Sequence, residues 1–96
     1  MKFKEYKIIE DCLEGSNVRD ILLDEPSTKE FIYYFEKIGK LLFFDELPKP
    51  MYKIIVKGKY TIKGIAGNNT MRVLLPDNES DESLQELKEF INNYET

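Results

Sequence analysis

From Met51 to Leu75, hydrophobic and polar positions alternate along the chain. Tyr52, Ile54, Val56, Tyr60 and Ile62 fall on even positions; Lys53, Lys57, Lys59 and Lys63 fall on odd ones, with Ile55 and Ile65 as exceptions. Successive side chains of a β-strand point to opposite faces, so this period predicts a sheet with one apolar and one basic face. A straight strand over 51–65 would span about 46–50 Å. A chain of this length folds to a radius of gyration of about 12–13 Å, so the strand must reverse near Gly58. A three-residue loop, Lys57 to Lys59, pairs Val56 with Tyr60 and Ile54 with Ile62 and keeps the apolar face intact. A second reversal is expected at Asn68-Asn69, since both residues tolerate left-handed backbone. A two-residue turn there pairs Ala66 with Met71, Gly64 with Val73 and Ile62 with Leu75. The result is a three-stranded meander over 51–75. Tyr52, Ile54, Val56, Tyr60, Ile62, Met71, Val73 and Leu75 lie inside; Lys53, Lys57, Lys63 and Arg72 lie outside.

Two segments carry a helical period instead. Phe31, Tyr34, Phe35 and Ile38 recur at helical spacing behind Ser27 and Glu30, which have the spacing of a capping box. Gly39 suits a left-handed helix end. This predicts a helix over about 28–38. Leu84, Leu87, Phe90, Ile91 and Tyr94 mark one face of a second helix, over about 81–94, with acidic residues at its start, where the helix dipole favours them.

The remaining segments are less regular. Residues 1–10 fit either a helix or a strand, and the strand with Tyr6 and Ile8 on one face is the better fit. Val18, Ile21 and Leu22 predict one or two helical turns. Leu41 to Phe44 reads as a short buried strand, and Pro48 and Pro50 mark a loop. The expected architecture is α+β: a mostly antiparallel sheet of four or five strands with the two helices packed on one face, in a single small domain over 1–96.

Charge adds a feature that the pattern alone does not contain. The 96 residues carry a net charge of −4, yet 49–76 hold six basic residues and no acidic one. The flanks balance this, at net −4 over 1–48 and −6 over 77–96. Within the chain or between copies, the opposite charges can neutralise each other. The alternative is that the basic face meets an external anion such as nucleic acid.

The chain has no histidine, the commonest general base and metal ligand, and one cysteine, Cys12. Asp11, Glu10 and Glu14 surround Cys12 and disfavour a thiolate, so a structural thiol is expected rather than a nucleophile. No disulfide is possible within the chain, and no cofactor or metal site is expected. Asp77, Glu79 and Asp81 alternate as at the start of a calcium loop, but Glu82 stands where glycine should and Lys88 where a bidentate glutamate should. Gly64-Ile65-Ala66-Gly67 matches a loop of some nucleic-acid-binding domains, yet it would join strands rather than helices. Carboxylate pairs such as Asp45-Glu46 read as surface acids.

No apolar run approaches the ~20 residues of a membrane span, and residues 1–12 lack the apolar core of a signal peptide. A cytoplasmic, non-catalytic protein is expected, acting by contact with another protein or with a second copy of itself. Five bulky residues, Phe31 to Phe35, cannot all face one core. Ile32 and Tyr33 are therefore the candidates for self-association. The alternative is nucleic-acid binding through Lys53, Lys57, Lys63 and Arg72. Stacking by Tyr52 or Tyr60 would require them to be exposed, and the alternation places both inside.

Overall fold

The structure, a computed structural model, describes residues 1–9, 17–75 and 80–94. Strands β1 (Phe3–Ile9) and β2 (Val18–Leu23) precede helix α1 (Lys29–Tyr34), which ends in a 3-10 turn (Phe35–Lys37). Strands β3 (Lys40–Phe44), β4 (Met51–Val56), β5 (Tyr60–Ile65) and β6 (Thr70–Leu74) follow, and then helix α2 (Ser80–Asn92). The strands form one antiparallel sheet in the order β1-β2-β6-β5-β4-β3. The architecture is α+β, as the patterning predicts, but with six strands rather than four or five.

The additional strand is β2, where helical turns are expected. It lies between β1 and β6 and is apolar on both faces: Ile21 and Leu23 enter the core, while Val18 and Leu22 lie on the opposite side. A strand apolar on both sides loses its period of two, and its spacing then imitates a helix.

The eight residues assigned to the inner face of the meander are all buried. They form one cluster with Phe31, Ile32 and Phe35 from the α1 segment and Leu84, Leu87 and Ile91 from α2. Burying each such side chain stabilises the fold by about 1.5–3 kcal/mol; among the described residues, the two helices cover one face of the sheet and leave the other without a helix.

Val56 pairs with Tyr60 and Ile54 with Ile62, as expected. The β5–β6 register differs by two residues: Ile62 pairs with Val73 and Gly64 with Met71. The strand stops earlier because other segments hold the turn. Ala66 N–H donates to Pro50 O at 2.8 Å, Gly67 N–H donates to Ser27 O at 2.8 Å, and Gly67 takes φ +93°. A two-residue slip preserves faces, which is why the inner set survives it.

Ser27 accordingly does not cap α1. Its hydroxyl is buried and donates to Asn68 O at 2.9 Å, and Thr28 Oγ1 accepts the Phe31 N–H at 3.1 Å instead. Gly39 is not left-handed. It is needed because a β-carbon there would lie 2.6 Å from Ile55 O of the neighbouring strand. Among the described residues, no helix is long and apolar enough to cross a membrane.

Candidate functional site

The sheet register brings most of the predicted basic residues together. Lys53 stands opposite Lys63, Lys63 opposite Arg72, Arg72 opposite Asp20, and Asp20 opposite Lys7. Residues directly opposite in an antiparallel pair point to the same face, so these five form one transverse row on the helix-free side, with Leu42 at its β3 end. Lys57 does not join the row. It sits in the β4–β5 turn, beside an open groove of about 460 Å³ lined by Lys40, Lys59, Tyr60 and Glu86.

Among the described residues, two ion pairs offset the segregated charge. Arg72 Nε and Nη2 donate to Asp20 Oδ1 and Oδ2 at 2.9 and 3.3 Å. Lys59 Nζ meets Glu86 Oε1 at 2.6 Å. Such partly exposed pairs contribute little stability. Elsewhere the charge is divided between faces: α2 exposes Asp81, Glu82, Glu86 and Glu89 on the helix side, opposite the basic row.

Tyr52 and Tyr60 are buried on the helix side, as the alternation predicts, and cannot stack on a ligand bound to the basic row. Burial, and then the nearby Glu86 carboxylate, push the Tyr60 pKa up to about 12. Burial also raises the Tyr52 pKa. The Tyr52 hydroxyl itself meets no hydrogen-bond partner among the described residues. The Tyr34 hydroxyl donates to Phe90 O at 2.8 Å, and burial raises its pKa.

Of the two residues singled out for self-association, only Tyr33 reaches the surface. It is 47% exposed, whereas Ile32 is 1% exposed and belongs to the core. The helix is tightened at Phe35, whose N–H reaches back to Ile32 O and Tyr33 O. Ile32 therefore cannot meet a partner while the chain stays folded. Tyr33 lies against Phe43 of β3, with ring centroids 5.7 Å apart.

The exposed apolar side chains have a common location that one-dimensional patterning does not reveal. Among the described residues, the large exposed hydrophobics are Tyr6, Ile8, Tyr33, Phe44, Leu47 and Met51. Tyr6 and Ile8 lie on β1, at one edge of the sheet. The other four lie at the opposite edge, on both of its faces: Phe44 on β3 and Met51 opposite it on β4 share the face of Lys53, Tyr33 lies beside Phe43 on the helix side, and Leu47 is in the loop between these strands. Leu41 to Phe44 are expected to form a buried strand. The structure makes it an edge strand with Phe44 52% exposed.

The two edges differ in how they are protected. Edge strands expose unpaired backbone groups and are commonly guarded by charges or bulges. β1 carries Lys4, Glu5 and Lys7, and its register shifts between Phe3 and Glu5. Its Phe3 N–H donates to Asn92 Oδ1 of α2 at 2.9 Å. β3 pairs with β4 without a register shift, and its only charged residue is Lys40, at its start.

Cys12 and Asp77, Asn78 and Glu79 lie outside the described residues. Among those described, no group of three or more acidic or cysteine side chains is arranged to hold a metal ion. No protein-family model, no curated protein and no solved structure matches the chain.

Proposed function

We propose that the chain is a non-catalytic protein-interaction module of the cytoplasm that assembles with a second copy of itself. The observation that carries this reading is the gathering of Tyr33, Phe44, Leu47 and Met51 at one unguarded sheet edge. Phe44 and Met51 lie on the face away from the helices and Tyr33 on the helix side, so exposed apolar side chains flank this edge on both faces; Tyr, Phe and Met are enriched at contact surfaces. Sedimentation of the purified chain across a concentration series tests the reading. The expected result is a monomer–dimer equilibrium that Tyr33→Glu shifts toward monomer. A wild-type monomer at high micromolar concentration overturns it.

A second reading rests on the transverse row of Lys7, Lys53, Lys63 and Arg72. A line of cations on an open sheet can follow a phosphate backbone. Binding carried by about four phosphate contacts would weaken steeply with salt. Fluorescence anisotropy with labelled single- and double-stranded oligonucleotides, at low and physiological salt, separates the two readings. Saturable, salt-sensitive binding that is lost on Lys53→Glu/Lys63→Glu supports this one.

A further inference from the structure

We propose that the two copies join by antiparallel pairing of β3 with β3 of the second copy, on a two-fold axis through Leu42, so that both six-stranded sheets merge into one. This rests on the self-association reading above and specifies its geometry.

The charge pattern around the edge is self-complementary. Lys37 and Lys40 stand at the start of the strand, and Asp45 and Glu46 follow its end. Antiparallel pairing of two identical strands lays the basic start of each along the acidic end of the other. A parallel arrangement would set like charges side by side, and β1 of a second copy would bring its own lysines and register shift. The unpaired backbone edge of β3, beside exposed Phe44, is covered in the same step.

The faces of the sheet fix the register. With the two-fold axis normal to the sheet, opposed residues share a face, so one residue must sit opposite its own copy. Centring on Leu42 pairs every residue of Lys40–Phe44: Leu41 with Phe43 of the second copy, and Lys40 with its Phe44. Centring on Leu41 or Phe43 leaves part of each strand unpaired. On the helix side, Leu41 of the second copy then meets Phe43, the residue that Tyr33 covers. On the other side Leu42 meets Leu42, and the transverse basic rows of the two copies become collinear across the axis. Such a pairing is isologous and closes at two copies, so it does not propagate into a fibre.

Cross-linking tests the geometry. Opposed Cα atoms in an antiparallel pair lie about 4.5–5.5 Å apart, within the ~4.4–6.8 Å that a disulfide spans. With Cys12→Ser as background, Leu42→Cys is oxidised in the full chain, beside Leu22→Cys on β2 and Tyr6→Cys on the other edge. The expected result is a covalent dimer from Leu42→Cys alone. In parallel, Leu42→Glu places two carboxylates on the axis while setting each opposite Lys53 of its own chain. It should raise the dimer dissociation constant by about tenfold or more with the circular dichroism spectrum unchanged. If wild type sediments as a dimer but Leu42→Cys does not cross-link, the β3 pairing is overturned and self-association stands. If wild type is monomeric and no variant cross-links, both are overturned.

Discussion

Lys53 and Lys63 stand directly opposite each other on β4 and β5, with Arg72 next in the same row. Like charges in that position disfavour the sheet by about 0.2–1 kcal/mol. Lys53→Glu should therefore stabilise the chain by that amount, read as a higher urea midpoint at unchanged slope. A lower midpoint would show that Lys53 makes a favourable contact in the folded state.

The Asp20 carboxylate offsets Arg72 through two hydrogen bonds. Asp20→Asn should cost little stability, under about 1 kcal/mol for so exposed a pair. On the nucleic-acid reading, it should strengthen oligonucleotide binding and steepen the salt dependence by about one unit of slope. Anisotropy that does not respond to Asp20→Asn would count against the row as a phosphate track.

Gly64 is required by its partner on the next strand. A β-carbon there would lie 2.6 Å from Tyr52 Cζ, beneath a ring that is itself buried. Gly64→Ala should destabilise by about 1–3 kcal/mol, the usual cost of overpacking. In a Tyr52→Leu background the same change should cost markedly less, because neighbouring substitutions are not additive. Equal costs in both backgrounds would locate the penalty in the backbone instead.

Tyr60 links stability to alkaline pH. Its pKa rises from an ordinary value of 10.0 to about 12 in the fold. A pKa raised by folding leaves its stabilisation intact below the unfolded value and removes it as pH climbs through the folded one. Stability should thus fall between about pH 10 and about pH 12, and Tyr60→Phe should fall less over that window. Urea midpoints measured on both proteins at about pH 9 and about pH 11 check the difference. Parallel losses in the two proteins would remove Tyr60 from the account.

The meander was readable because each of its strands has one wet and one dry face, so Tyr52, Ile54 and Val56 announce their side by alternation alone. β2 was not, because an interior strand with Val18 and Leu22 on one face and Ile21 and Leu23 on the other leaves no alternation to read. Local signals also competed: Ser27 and Thr28 both suit a cap, and only the distant turn at Asn68 decides which of them serves as one. The basic residues were visible as a block, but their assembly into a row depends on register across five strands. The exposed edge was hidden for the same reason. Leu41 to Phe44 looks like core until the strand order shows that nothing among the described residues pairs with its far side.

Residue-resolved amide hydrogen exchange at several protein concentrations tests whether a second copy covers the β3 edge. Amides of Lys40–Phe44 that point away from β4 should gain protection as concentration rises, while those of β1 stay unchanged. Exchange at β3 that is fast and independent of concentration would contradict the β3 pairing.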